Sequence, residues 1–187
     1  MSADTLQAAY ALTEALTPLS VDCGQVCGGR CCRPHEGGRD GMRLLPGEAA
    51  FLAQRAAGCG TTLALAGLSV RPAADGADLL ICTGRCDRRL RPLSCRIYPL
   101  YPQVGTDGRV RARYDPRAWA QCPLSHEQAH VRLQPAFVRA VRRIGRLLQD
   151  DPDTAPALRA QSDELTALSA LLPQGGRPPI ARRSPLG

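Results

Sequence analysis

Cysteines are the residues of this chain whose type and spacing could do chemistry. The 187 residues include nine of them, and four fall within the ten residues CGQVCGGRCC beside three glycines. A second group begins fifty residues later in ICTGRCDRRLRPLSCRIYP. The two groups, with one more distant member, comprise Cys23, Cys27, Cys31, Cys32, Cys82, Cys86, Cys95 and Cys122. Eight thiols divide into two sets of four, the number of thiolates that a tetrahedral zinc ion or a four-iron cluster takes.

Metal ligation explains these thiols better than burial or disulfide bonding. Buried free cysteine has apolar surroundings, but the first group has neighbours such as Asp22 and Gln25. A disulfide framework is disfavoured because the number of cysteines is odd and the N-terminus has acidic residues where an export signal would be basic. Neighbouring thiolates such as Cys31 and Cys32 can serve one metal or two adjacent ones. Zinc and an iron–sulfur cluster both fit, so the spacing leaves the metal and the number of sites open.

The other soft ligands are weaker candidates. Cys59 has no thiol near it in sequence, and we expect it to be a buried filler. His126 and His130 lie four residues apart without the acidic residue of a His-Glu-x-x-His site, so we expect solvated surface histidines. His35 follows the first group directly, and its ligation is a minor alternative. No Walker loop, dinucleotide fingerprint or Gly-x-Ser-x-Gly elbow is present, and no catalytic residue is identified.

Hydrophobic periodicity predicts the elements that position these thiols. Helices are predicted at residues 5–16, 47–57, 135–149 and 155–172. Short strands are predicted at residues 63–65 and 79–81, and a hairpin at residues 97–104 and 109–114 around a Gly-Thr-Asp-Gly turn. Residues 22–42 are too rich in glycine and arginine for a regular element, and we expect a loop that folds around a small object.

These elements predict an α+β fold, mainly helical, in one small domain with irregular cysteine-rich metal-binding loops and a short β-hairpin. Residues 1–20 would form an N-terminal helix and residues 21–123 the cysteine-cluster region. Residues 124–172 would form C-terminal helices packed on that region. The Pro/Gly/Arg-rich residues 173–187 would be a disordered tail.

The composition and charge of the chain limit the classes of partner that we expect it to bind. A 44% hydrophobic content is sufficient for a core, and no run of 18 apolar residues occurs, so we expect a cytoplasmic protein with no membrane partner. The net charge of +7 comes from arginine alone. Arginines do cluster at residues 88–96, but the chain has few aromatic residues for stacking, so nucleic acid is disfavoured as a partner.

The cysteine pattern resembles a known family. The order Cys-x3-Cys-x3-Cys-Cys, then Cys-x3-Cys, then RPLSCRIYP and a final cysteine is similar to the YkgJ-like zinc- or iron-chelating cysteine-cluster proteins. RPLSCRIYP, residues 91–99, looks like their Arg-Pro-x-x-Cys-Arg-x-Tyr/Phe-Pro signature, and the resemblance extends over about residues 21–123. It implies metal-ligand roles for the eight cysteines of the two groups. The first group is often spaced one residue tighter in that family, and the loop between Cys82 and Cys86 is shorter than in many members.

The leading hypothesis is a cytoplasmic metal-binding protein whose thiolates hold zinc or an iron–sulfur cluster, with a protein partner left open. Arg91 and Arg96 would offset the negative charge of the thiolates. One alternative is an enzyme, either a redox protein or a relative of the flagellin lysine N-methylases, which are similar in this region. Another is a zinc-organised, arginine-rich module that binds nucleic acid or a protein.

Overall fold

The computed structural model describes residues 2–32, 41–84, 86–126 and 132–172. Within these residues the chain forms six α-helices and two small antiparallel sheets, which confirms the mainly helical α+β fold. The helices are α1 Ala3–Ala11, α2 Cys23–Cys27, α3 Glu48–Gly58, α4 Leu93–Ile97, α5 Pro135–Asp150 and α6 Ala155–Ala170. The strands are β1 Met42–Arg43, β2 Leu68–Pro72, β3 Asp78–Cys82, β4 Leu100–Val104 and β5 Val110–Tyr114.

The short helix α4 contacts one strand of each sheet, β1 and β4. Strand β3 lies between β1 and β2, and its last residue, Cys82, pairs with Leu68. Strands β4 and β5 form a hairpin in register from Leu100↔Tyr114 to Val104↔Val110, and this hairpin packs against α5 and α6. None of the helices within the described ranges is both long enough and apolar enough to span a membrane.

One buried carboxylate joins three helices and fixes the start of α4. Glu48 is fully buried, and its Oε1 accepts hydrogen bonds from the Tyr10 hydroxyl at 2.6 Å and from the Leu93 amide at 2.7 Å. Its Oε2 accepts from the Leu45 amide at 2.9 Å. Burial raises the pKa of Glu48, while these hydrogen bonds oppose that shift. Because α4 carries Cys95, this network also positions a predicted metal ligand.

Helix α1 ends at Ala11, five residues before the predicted bound at residue 16. From Thr13 on, the amides bond three residues back rather than four, with the Thr13 amide donating to the Tyr10 carbonyl oxygen at 3.0 Å and the Glu14 amide to that of Ala11 at 3.4 Å. The Thr13 hydroxyl donates to the Tyr10 carbonyl oxygen at 3.0 Å. The Arg88 guanidinium donates to the carbonyl oxygens of Thr13, Glu14 and Leu16. This contact ties the end of α1 to the second cysteine group.

Two other predictions of local structure were wrong. Residues 63–65 form turns rather than a strand, because Thr62 Oγ1 accepts from the Leu65 amide and the chain reverses at Gly67, where φ is 73°. The strand in this region is β2, which begins at Leu68, directly after Gly67. Residues 22–42 contain the helix α2 and a 3₁₀ turn, Arg30–Cys32, where no regular element was expected.

The remaining predicted elements are confirmed with small shifts of their ends. Strand β3 contains residues 79–81, and α3, α5 and α6 contain most of their predicted ranges. The hairpin begins at Leu100 rather than at residue 97, because Ile97 still belongs to α4. Residues 173–187 lie outside the described residues.

Candidate metal centre

The first cysteine group is folded by a short helix and two left-handed glycines. Asp22 caps α2, because its Oδ1 accepts from the Gly24 amide at 3.0 Å. Cys23 and Cys27 are four residues apart in α2 and therefore share one helix face. Gly28 and Gly29 both have φ of 65°, a conformation that residues with a Cβ seldom adopt. This reversal leads into the 3₁₀ turn that ends in the adjacent thiols Cys31 and Cys32.

The second group is held by Arg96. Its Nε donates to the Arg91 carbonyl oxygen at 3.0 Å, and its Nη2 donates to the Arg88 carbonyl oxygen at 2.7 Å. The Arg96 side chain has no exposed surface, and its guanidinium lies 4.7 Å from the centre of the Tyr10 ring. The segment between Cys86 and α4 is thereby folded back onto α4, beside Cys95.

Cysteines from both groups line one cavity of about 80 Å³. This volume exceeds the roughly 10–15 Å³ that a single water molecule requires. Arg88, Arg91 and Tyr98 also line it. Six of the eight predicted ligands contribute to its wall: Cys23, Cys27, Cys31, Cys32, Cys95 and Cys122. Thiols that are far apart in the sequence are therefore neighbours in the fold.

The remaining two predicted ligands, Cys82 and Cys86, do not line the cavity and pack at the edge of the main hydrophobic core. They connect to the cavity through Cys95, which has Cys86, Cys32 and Cys82 as electrostatic neighbours. At the other end, Cys122 and Cys23 pack in a smaller apolar cluster around Leu19, Ala118 and Leu124. The eight thiols thus run from the edge of the main core to the smaller cluster.

Charge and burial shape the acidity of these thiols. The Cys31 and Cys32 sulfurs are 3.9 Å apart, and a hydrogen bond between them lowers the pKa of Cys32 and raises that of Cys31. The Arg91 guanidinium also favours the Cys32 thiolate. Burial raises the pKa of Cys95, and it raises the pKa of Cys122 to about 11. A metal would have to displace protons from the buried thiols.

The donor set suits a thiolate-bound metal, although the thiols are not gathered around one point. In the four described ranges, no group of three or more His, Cys, Asp or Glu side chains is close enough together to hold a metal ion. A cysteine that changes rotamer moves its sulfur by roughly 3 Å. The 3.9 Å between Cys31 and Cys32 is close to the edge, about 3.8 Å, of a tetrahedron with zinc–sulfur bonds of about 2.3 Å.

The two arginines expected to offset thiolate charge have different places. Arg91 lies among the thiols, with Cys86, Cys32 and Cys95 as electrostatic neighbours of its guanidinium, so its role in offsetting thiolate charge stays a prediction. Arg96 is occupied elsewhere, since its guanidinium contacts backbone carbonyls and Glu14. Sequence reasoning therefore missed the structural role of Arg96, for which its position directly after Cys95 gave no signal.

The other candidate ligands lie apart from the cavity or outside the described residues. Cys59 is exposed at the end of α3, so the prediction of a buried filler was wrong. Cys59 follows the last residue of α3 and lies beyond the residues that this helix buries. His126 is not a solvated surface residue, because its ring stacks on Trp119 with the ring centres 4.6 Å apart. His35 and His130 lie outside the described residues.

All nine cysteines lie in the described part of the chain, and all carry free thiols. The motif at residues 91–99 forms α4 and its flanking turns, and this segment contributes Arg91, Cys95, Arg96, Tyr98 and Pro99 to the cavity wall. Comparisons of the chain with models of protein families, with curated proteins and with solved structures found no match.

Proposed function

We propose that the protein binds a metal centre, zinc or an iron–sulfur cluster, through the thiolates of its two cysteine groups. The observation that carries the proposal is the shared cavity, in which α2 and its 3₁₀ turn face Cys95 and Cys122. Soft thiolate donors select zinc and iron–sulfur clusters over hard cations such as Mg²⁺. The Arg91 guanidinium beside Cys86 and Cys32 supports an assembly that concentrates negative charge.

Metal binding would also stabilise the fold around the first group. The α2 segment has no buried residue, and its Val26 is 63% exposed. Such a segment contributes little apolar burial, so metal ligation would supply energy that the core does not. We further propose a reducing compartment, the cytoplasm, as the place of action, since the free thiols suit it.

The experiment is metal analysis of protein purified without oxygen, by inductively coupled plasma mass spectrometry and absorption spectroscopy. We expect zinc or iron at one or more equivalents per chain, and a broad band near about 400 nm if the centre is an iron–sulfur cluster. Cys23→Ser and Cys95→Ser, one from each group, should each lose metal. Cys59→Ser is the matched control, because it removes an exposed thiol outside the cavity and should retain the full metal content.

Metal below about one tenth of an equivalent in the parent protein, with folded protein by circular dichroism, would contradict the proposal. Equal losses in Cys59→Ser and Cys95→Ser would also contradict it, because the cavity would then not define the site. An iron–sulfur spectrum that bleaches reversibly on reduction would favour the redox alternative over a structural zinc role.

A further inference from the structure

Two buried polar atoms beside the thiols lack partners. Across the described residues, Arg91 Nε and Tyr98 Oη are the buried side-chain nitrogen and oxygen atoms without a hydrogen-bond partner. Both residues line the cysteine cavity. Buried polar groups are nearly always paired, and an exception calls for a specific explanation. That both exceptions lie at this one cavity points to an acceptor associated with it.

Tyr98 lies on the Cys122 side of the cavity. Its ring packs in the smaller apolar cluster that contains Cys122 and Cys23, and Cys122 and Cys31 are electrostatic neighbours of its hydroxyl. Tyrosine is protonated at neutral pH, so the group offers one O–H donor. Asp115 is also an electrostatic neighbour of the hydroxyl, but its carboxylate accepts from the Arg117 amide and guanidinium, which leaves the thiolates as acceptors for Tyr98.

Arg91 occupies the Cys86 side. Cys86 is an electrostatic neighbour of its guanidinium, and its Nε has no hydrogen-bond partner among the described residues. Cys32 and Cys95 are its further electrostatic neighbours. The two donor residues therefore lie near different thiols: Tyr98 is near Cys122 and Cys31, and Arg91 is near Cys86, Cys32 and Cys95.

We propose that Tyr98 Oη donates a hydrogen bond to a metal-bound thiolate on the Cys122 side and that Arg91 Nε does so on the Cys86 side. The inference rests on the proposed function and assigns both residues a positioning role. A thiolate that ligates a metal retains lone pairs that accept hydrogen bonds, and such outer donors orient the ligand and tune the metal. Metal binding would draw the sulfurs inward and give each unpaired donor an acceptor.

Tyr98→Phe tests the inference because it removes one oxygen and retains the ring. Zinc affinity is measured by titrating Zn²⁺ into reduced, metal-free protein in competition with a chelator. We expect Tyr98→Phe to bind Zn²⁺ about 10- to 100-fold more weakly than the parent. The metal-free variant should unfold at the same temperature as the parent or slightly higher, because this hydroxyl has no partner among the described residues.

Tyr10→Phe is the matched control. The Tyr10 hydroxyl donates to Glu48 at 2.6 Å and does not line the cavity, so this variant should unfold at a lower temperature and bind Zn²⁺ as the parent does. Loading with Co²⁺ gives an absorption spectrum whose band positions do not depend on the stability of the fold. A hydrogen bond lowers the energy of the sulfur lone pair, so the sulfur-to-cobalt band should shift to longer wavelength in Tyr98→Phe and stay in place in Tyr10→Phe.

The outcomes separate the inference from the proposed function. If the parent binds Zn²⁺ and Tyr98→Phe binds it within about twofold with an unshifted cobalt band, the inference is overturned and metal binding survives. A metal-free Tyr98→Phe that is destabilised as much as Tyr10→Phe also overturns it, because the hydroxyl would then have a protein partner. A parent that takes up no metal overturns both.

Discussion

Arg96→Met should destabilise the protein strongly, although arginine is usually a surface residue. The substitution keeps a flexible apolar stem but removes the guanidinium that lies on Tyr10 and binds the turn before α4. The two shorter bonds, to the Arg91 and Arg88 carbonyl oxygens, are 3.0 and 2.7 Å long. A hydrogen bond that involves a charged group contributes about 1.5–3 kcal/mol.

Two such bonds suggest a loss of about 3–6 kcal/mol in the free energy of unfolding. The ion pair with Glu14 adds little, because the Glu14 side chain is 53% exposed. For a chain of this size the loss corresponds to a fall of about 6–24 °C in the thermal midpoint. The assay is thermal unfolding of the reduced protein by circular dichroism, with urea unfolding as a second measure.

Arg89→Met is the control for that experiment. Arg89 is two residues from Arg91 in sequence, but its side chain is 60% exposed and pairs with Asp87 at the surface. Its loss should leave the thermal midpoint unchanged. An Arg96→Met midpoint within about 2 °C of the parent would refute the reasoning that the guanidinium holds this turn together.

Two further predictions test other parts of the structure. Glu48→Ala should lower the free energy of unfolding by about 3 kcal/mol or more, because it leaves the Tyr10 hydroxyl and two backbone amides without an acceptor, whereas Glu48→Gln should lose less since it keeps one oxygen. An unchanged urea midpoint in Glu48→Ala would count against the network. Gly29→Ala should cost about 1–2 kcal/mol, because φ is 65° there although a Cβ would meet nothing within 4 Å. Gly58→Ala, equally uncrowded but helical, should be neutral or stabilising, and a similar loss in both variants would contradict the argument from backbone conformation.

Local patterns predicted those parts of the fold that depend on local physics. The hairpin follows from alternation around a glycine turn, and α5 follows from a stripe that buries Phe137, Val141 and Ile144. The non-helical turn after α1 could not be predicted, because its carbonyl groups bind Arg88, which is more than seventy residues away in sequence. The strand expected at residues 63–65 failed because Thr62 and Gly67 close a turn across it.

The candidate site was predictable in composition but not in arrangement. Spacing selected all six cysteines that line the cavity, since clustered thiols among polar neighbours are a strong local signal. Spacing could not show that Cys122 faces α2 or that Cys86 packs at the edge of the core. Those placements depend on tertiary packing, in which Cys122 joins Leu19, Ala118 and Leu124 and Cys86 joins the main core. Tyr98 lies within the RPLSCRIYP motif, but only its buried, unpaired oxygen indicates a role.

X-ray absorption at the metal edge of anaerobically purified protein tests the central claim most directly, because it reports the atoms bound to the metal. The account predicts a first shell of sulfur alone, at about 2.3 Å if the metal is zinc, that is lost in both Cys23→Ser and Cys95→Ser. A first shell dominated by nitrogen or oxygen, or a sulfur shell that persists unchanged in both variants, would contradict it.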